Sequence, residues 1–506
     1  MTAAQTPPPA GLPPFRAIPD LIREHAQARP GHLALRQGAT RLTWRELDAQ
    51  ADRVAARLQA EGLRPTQSIA LSGANSIAYV ALFLGGLRAG LAIAPLPTGA
   101  TTEQLAGMVR DSGARLFFAD ASVPAFASDA RRLPMEDLQS WLTVDTPPQP
   151  VQIDPAWPFN IIYSSGTTGA PKGIVQPHAM RWAHVARGEN YGYSPDAVTI
   201  VATSLCSNTT LVAVFPCLAK GGTVVLTEGR FDAQAYVALA EDARATHAML
   251  VPVQYQRLMA LPGFDRHDLS SFRMKFCTSA PFSAKLKADV LRRWPGGLVE
   301  YYGMTEGGGT CILEAHNFPD KLHTVGKPAE GHDIRLIDEA GQEVPQGEVG
   351  EVVGRSASMM TGYHQQPDKT RDAEWYDTQG NRFIRTGDVG RFDADGFLTL
   401  LDRRKDMVIS GGFNIYPSDL ESVLRQNPGV LEAAVVGVPS EEWGETPVAF
   451  VVPAPGAMDA AALRAWANER LGKTQRLADV RYLPELPRSD IGKVLKRELR
   501  ERYTAG

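Results

Sequence analysis

The run Tyr163-Ser164-Ser165-Gly166-Thr167-Thr168-Gly169-Ala170-Pro171-Lys172-Gly173 gathers hydroxyls, glycines and one lysine in a single short segment. Its chemistry is that of a phosphate cradle. Glycines let backbone N–H groups approach an anion closely, the hydroxyls add donors, and Lys172 offsets charge on a polyphosphate. A Walker A loop ends Gly-Lys-Ser/Thr, whereas Lys172 is followed by Gly173, so a P-loop NTPase is disfavoured. The plain alternative is a Ser/Thr/Gly linker. The order of the run, and the mostly apolar stretch Phe159 to Ile162 in front of it, count against that.

Four later segments carry further chemistry: Tyr301-Tyr302-Gly303-Met304-Thr305-Glu306, Arg385-Thr386-Gly387-Asp388, Asp402-Arg403-Arg404-Lys405-Asp406 and Pro487-Arg488-Ser489-Asp490-Ile491-Gly492-Lys493. A fixed carboxylate such as Asp388 can accept hydrogen bonds from both hydroxyls of a ribose. Magnesium takes one or two carboxylates plus phosphate oxygens and waters, which Glu306 can supply in part. Taken singly, each segment has an ordinary reading: an Asp in a surface turn, a core tyrosine, solvated Glu and Lys side chains.

Taken in this order and spacing with the loop at 163–173, they resemble the adenylate-forming superfamily of acyl-CoA synthetases, peptide-synthetase adenylation domains and luciferases, in its acyl-CoA synthetase and aryl-CoA ligase branch. The resemblance spans almost the whole chain. It implies that Ser164, Ser165, Gly166, Thr167, Thr168, Gly169 and Lys172 grip the β- and γ-phosphates of ATP. Tyr302 offers its ring to adenine, helped by Ser279, Ala280 and Pro281, with Gly303 and Met304 alongside. Asp388 takes the ribose, Arg403 the nucleotide, and Thr305 sits beside the α-phosphate. Glu306 and Thr167 hold Mg2+.

The same resemblance makes Lys493 the residue that reaches the substrate carboxylate and phosphate oxygens, stabilising charge that spreads in the transition state. From side-chain pattern alone Lys493 is expected in an exposed turn at the start of the last helix. Lys405 would be the hinge about which a mobile C-terminal domain pivots after adenylation. Ser410, Gly411, Gly412 and Phe413 would line a pantetheine channel, with Trp443 and Arg476 also at CoA. Leu477 stands where the family commonly has proline, a departure that bears on Arg476.

The acyl pocket is expected at Ser207, Asn208, Thr209, Met249, Cys277, Gly308 and Gly309. Ser207 occupies a usual histidine position, and Gly307-Gly308-Gly309 replaces bulkier residues, which together imply a roomier pocket with more donors than a plain fatty acid needs. The implied activity is an ATP-dependent carboxylic acid–CoA ligase: acid plus ATP gives acyl-AMP and pyrophosphate, then acyl-AMP plus CoA gives acyl-CoA and AMP. ATP, Mg2+ and CoA are its cofactor and co-substrates, and an aromatic or cyclic acid is favoured. A medium- or long-chain fatty acid–CoA ligase, a stand-alone ligase loading a carrier protein and, from another class, a non-catalytic nucleotide sensor remain as alternatives.

The elements that must position these groups alternate at the βαβ period. A capping box at Thr43 and Glu46 opens a helix with Leu47, Val54 and Leu58 on one face, ended by Gly62. The apolar run Ile77–Leu87 is too short to span a bilayer and reads as a buried helix. Strands are expected at 69–71, 91–94, 116–119, 198–202, 223–226, 248–251 and 274–277, short strands with Gly turns at 325–400, and an α+β domain beyond. The fold class is α/β: a large N-terminal domain of doubly wound sheets over 16–402 with a small β-rich subdomain, and a C-terminal α+β domain over 403–506. Residues 1–15, rich in proline, are expected to be a disordered tail.

With 506 residues more than one domain is expected. A net charge of −4, from 52 basic and 56 acidic residues, gives no reason to expect nucleic acid or an anionic membrane as partner. The four cysteines show no CxxC pair, and no charged-then-apolar leader is visible, which fits a reducing cytoplasm without integral membrane association. A homodimer is left open.

Overall fold

The computed structural model describes residues 12–144, 146–164, 172–403, 406–410, 413–441, 443–472, 475–489 and 493–504. By internal contacts the chain forms two units: Met1–Ile334 with Gly354–Ile384, and Arg335–Val353 with Arg385–Gly506.

The first unit is built on two large sheets. In one, the strands Leu33–Gln37, Thr223–Leu226, Val198–Val201, His247–Leu250, Met274–Cys277 and Gly297–Tyr302 run parallel, flanked by antiparallel Thr40–Thr43 and Cys311–Glu314. In the other, Ser68–Ser72 lies between Ala92–Leu96 and Leu116–Ala119, and Pro158–Ser164 pairs antiparallel with Lys172–Pro177. This last hairpin carries the phosphate-cradle sequence between its arms. Residues 165–171 of that cradle, including Ser165, Gly166, Thr167, Thr168 and Gly169, lie outside the described residues.

Local chemistry explains the helices. The Thr43 hydroxyl accepts from the Glu46 N–H at 3.4 Å while the Glu46 carboxylate accepts from the Thr43 N–H at 2.7 Å, starting the helix Trp44–Ala60. Leu47, Val54 and Leu58 are fully buried, and Gly62 turns the chain away at φ +76°. The helix Ile77–Arg88 is buried on nearly every side, as its sequence implies. Arg88 at its end is tied to Asp48 at 2.5 Å and Asp52 at 2.8 Å, so its charge is compensated where it is buried.

Differences from the sequence expectations are small at element ends. The strand expected at 91–94 runs Ala92–Leu96. Within the expected tail, residues 1–11 lie outside the described residues. Pro13 and Phe15 are pinned instead of loose: the Trp182 indole N–H donates to the Pro13 carbonyl at 3.0 Å, and Phe15 packs edge-on against the same ring.

In the second unit the strand Leu398–Arg403 pairs antiparallel with the later part of Arg382–Phe392, through the Asp393–Gly396 turn expected from sequence. Further on, Val430–Ser440 and Gly444–Pro453 form a long hairpin, extended by Val408–Ser410 and by parallel Asp479–Tyr482. Val435, Val451, Leu420 and Leu424 fill the core of this α+β portion. Leu477, at the family's proline position, is buried in that core and its N–H is held by the Asn468 side chain at 2.8 Å. The fold class is α/β with doubly wound sheets, a β-rich segment and an α+β C-terminal part.

Candidate active site

The strand Gly297–Tyr302 ends in the Gly303–Glu306 turn, so the sheet delivers Tyr302 and then Thr305 and Glu306 to one edge. Tyr302 and Glu306 are both largely buried. A chain of contacts fixes Glu306: the Tyr363 hydroxyl donates to its Oε1 at 2.9 Å, and its carbonyl accepts from the Met360 N–H at 2.8 Å. Lys172 Nζ stands 5.1 Å from the centre of the Tyr363 ring. Burial, and then the neighbouring Glu306 charge, push the Tyr363 hydroxyl well above its usual range, which keeps it a donor.

Glu306 Oε2 makes no hydrogen bond to a described residue. One engaged and one open carboxylate oxygen suit Mg2+, which keeps most of its shell for phosphate and water. No cluster of three His, Cys, Asp or Glu side chains that could hold a metal ion is found among the described residues.

Backbone packing sets this turn in place. A Cβ on Gly307 would lie 1.9 Å from the Ser358 carbonyl oxygen, one on Gly308 2.6 Å from the Gly354 carbonyl oxygen, and one on Gly309 2.6 Å from Ile334. Gly307 and Gly308 also take φ of +76° and +87°. These glycines therefore serve close backbone approach, and the expectation that they enlarge an acyl pocket is corrected: the room a side chain would take is already filled by protein.

Ser279 is a non-glycine residue at φ +82°, a strained position, and its hydroxyl lies 2.6 Å from the Thr209 hydroxyl. Ala280 and Pro281 follow in the same loop. This joins the expected adenine loop to the expected acyl segment. Ser207 caps the helix Asn208–Ala219, accepting from the Thr209 N–H at 3.2 Å. Met249 and Cys277 are buried, as is Cys311, and burial pushes the Cys277 thiol up, which makes it a packing group with little thiolate character.

The sequence reading missed four groups here. Tyr363 carries no local signal. Asn160, Gln176 and Arg181 do, because each interrupts an apolar stretch yet is fully buried. Gln176 Nε2 donates to the Thr305 carbonyl at 2.7 Å, so this polar set touches the turn that holds Glu306.

In the second unit, Asp388 is buried, its N–H held by the Thr386 hydroxyl at 3.0 Å, and Thr386 in turn donates to the Val352 carbonyl. Asp388 pairs across the ladder with Arg403, whose backbone alone is described. Lys493 departs from the expected exposed turn at a helix start: it is half-buried, its N–H donating to the Ser489 hydroxyl at 3.2 Å and its carbonyl accepting from the Ser489 N–H at 2.8 Å. The last helix begins later, at Lys496. Ser410 pairs with Phe413 and with Gly444, while Trp443 and Arg476 are exposed. Lys405, Gly411 and Gly412 lie outside the described residues.

Residues 22–364 match the AMP-binding enzyme family, and residues 419–493 match the AMP-binding enzyme C-terminal domain. The chain belongs to this family, within the adenylate-forming superfamily, and is an AMP-forming acyl-CoA synthetase. It is 36% identical over 490 residues to a feruloyl-CoA synthase of Amycolatopsis sp, covering 94% of this chain and 97% of the other. It is 31% identical over 520 residues to the indoleacetate–CoA ligase of Aromatoleum aromaticum, covering 96% and 98%. ATP-bound MatB from Rhodopseudomonas palustris superposes with a TM-score of 0.86 at 29% identity, covering 96% of this chain and 99% of that one. Among the described residues no helix is long and apolar enough to cross a membrane.

Proposed function

We propose that this ATP-dependent acid–CoA ligase acts on an aromatic or cyclic carboxylic acid bearing oxygen substituents. The observation that carries the substrate class is the polar lining at the start of the helix Asn208–Ala219, where Ser207, Asn208 and Thr209 meet Ser279 and the Gln176–Thr305 contact. Most of these groups satisfy one another, but Asn208 Nδ2 makes no hydrogen bond to a described residue, and a saturated chain packed over it would leave that donor unpaired, at about 1–3 kcal/mol. The similarity to a feruloyl-CoA synthase and an indoleacetate–CoA ligase supports the same class.

In this reading a carboxylate oxygen attacks the α-phosphorus of ATP and pyrophosphate leaves; the thiol of CoA then displaces AMP from the acyl carbon. Tyr302 and Ser279 flank adenine, Asp388 accepts from the ribose hydroxyls, and the segment at 164–172 takes the departing phosphates. Mg2+, held by Glu306 and Thr167, would neutralise charge on the phosphate oxygens. Lys493 donates to the carboxylate and phosphate oxygens in the first step only, and a C-terminal domain from residue 403, hinged at Lys405, withdraws it before the thiol enters along Ser410–Phe413, with Trp443 and Arg476 at CoA. None of the four cysteines is in a disulfide, which accords with a reducing, cytoplasmic setting.

Lys493→Ala tests the assignment. It is expected to lower acid-dependent ATP–pyrophosphate exchange by roughly 100-fold or more, while sparing thioester formation from supplied acyl-adenylate. Equal loss of both steps would refute it. AMP release without a CoA thioester, across a broad panel of acids, would instead favour transfer to a carrier protein; one relative, a fatty acid–acyl-carrier-protein ligase of Streptomyces coeruleorubidus, is 31% identical.

A further inference from the structure

Arg181, on the helix His178–Arg187, is fully buried, yet no carboxylate lies within ion-pair distance of it among the described residues. Isolated buried charges are costly, and buried guanidinium groups are ordinarily paired. Here the charge rests on three side-chain amide oxygens, with His184 Nδ1 at 3.5 Å from the other terminal nitrogen. One terminal nitrogen donates to Gln176 Oε1 at 2.6 Å, Asn208 Oδ1 at 3.0 Å and Asn160 Oδ1 at 3.1 Å. Phe159 and Phe215 cover the guanidinium at 5.3 and 5.8 Å, and Arg181 Nε has no hydrogen-bond partner among the described residues.

This cation dictates how the three amides face. An amide oxygen drawn to Arg181 leaves its NH2 group pointing elsewhere, because two donors cannot share the contact. Asn160 Nδ2 donates to Gln176 Oε1 at 3.1 Å, and Gln176 Nε2 donates to the Thr305 carbonyl at 2.7 Å. Asn208 is the end of the set. Its Oδ1 faces Arg181 and, at 3.4 Å, Gln176 Nε2, whereas its Nδ2 makes no hydrogen bond to a described residue, and the side chain is half-exposed.

We propose that Asn208 is a specificity residue whose amide N–H donates to an oxygen acceptor on the acid substrate, a carbonyl or a second carboxylate, and that Arg181 is the positioning residue that fixes this donor. The proposal rests on the reading of residues 207–209 as acyl pocket. The uncompensated charge behind Asn208 makes an anionic acceptor bind better than a neutral one. Through Gln176 the same network reaches the Thr305 carbonyl, so the acceptor-binding donor and the turn bearing Glu306 share one rigid support.

The test is the ratio of kcat/KM for acyl-CoA formation between matched acids: 3-benzoylpropionate against 4-phenylbutyrate, and 1,4-phenylenediacetate against 4-methylphenylacetate. Wild-type enzyme is expected to favour the acceptor-bearing member of at least one pair, by roughly 10-fold for a carbonyl and up to roughly 100-fold for a carboxylate. Asn208→Ala should bring that ratio to near one, acting on KM for the acid and leaving KM for ATP in place. Asn208→Asp, which presents an acceptor, should reverse the preference. Arg181→Lys keeps the charge but loses the planar fork, and should erode the ratio at least threefold, with its melting temperature recorded beside wild type so that misfolding is recognised. Thioester formation with no preference in either pair, or an Asn208→Ala ratio equal to wild type, would overturn the proposal. Failure of every acid to yield AMP would bring down the ligase reading itself, and this proposal with it.

Discussion

Replacing Tyr363 by Phe removes one oxygen and nothing else. The ring stays, so its packing and the Lys172 contact at 5.1 Å are kept. What is lost is the 2.9 Å hydrogen bond to Glu306 Oε1, in a place where both residues are nearly inaccessible to water, at 8% and 9% exposure. A hydrogen bond to an ionised group contributes about 1.5–3 kcal/mol net, and here water cannot readily replace the missing donor. We therefore expect Tyr363→Phe to destabilise the protein by about 2 kcal/mol, a shift of roughly 30-fold in the unfolding equilibrium.

The functional effect follows from orientation. Without the hydroxyl, the Glu306 carboxylate is free to rotate, and losing the support behind a metal ligand typically costs roughly 10–100-fold in metal affinity or activity. The assay is acid-dependent ATP–pyrophosphate exchange across a Mg2+ titration, with urea unfolding run in parallel. The Mg2+ midpoint should rise about 10-fold, with a smaller change at saturating metal. A double-mutant cycle with Glu306→Gln should show a coupling energy of about 1–2 kcal/mol in stability. If the variant unfolds with wild type and its Mg2+ midpoint stays within twofold, the view of Tyr363 as the support of Glu306 is wrong.

Gly307→Ala places a methyl group 1.9 Å from the Ser358 carbonyl at a φ of +76°, so about 3 kcal/mol or more of destabilisation is expected, seen as low yield or an early urea midpoint. Acid should weaken the first unit. Burial holds His178 and His332 down to about 3 and His247 to about 4. Below the unfolded value near 6.5 the unfolded chain takes up protons that the folded chain refuses, so stability falls as pH drops from 7 to 5, by roughly 1–2 kcal/mol per histidine, and returns on neutralisation. Urea midpoints independent of pH across that window would contradict it.

Much of the architecture was legible because its signals are local. Thr43 with Glu46, Gly62, and the apolar runs at 116–119, 223–226 and 274–277 each declare an element through nearest neighbours. The motif residues were legible as a set for a similar reason: their types and order do not depend on packing. Tyr363 was not, because its role is defined by Glu306, far away in sequence. Arg181 shows the same limit more sharply. It stands among apolar residues in sequence, and its meaning appears only when Asn160, Gln176 and Asn208 converge on it. The glycines at 307–309 were misread for the converse reason, since a missing side chain in sequence does not say whether the vacated space is open or occupied by another backbone.

Attempts to broaden the enzyme's range by saturating positions 307–309 would meet main chain at 307 and 308 and the Ile334 side chain at 309. Such libraries should return mostly unfolded clones. Diversity placed at Asn208 and Thr209 meets replaceable side chains instead, and there a change in acid preference can arise while Gln176 keeps the Gly303–Glu306 turn in its place. The tight seam between Gly308 and Gly354 thus partitions the protein into a part that selection must leave alone and a part in which new substrates can be acquired.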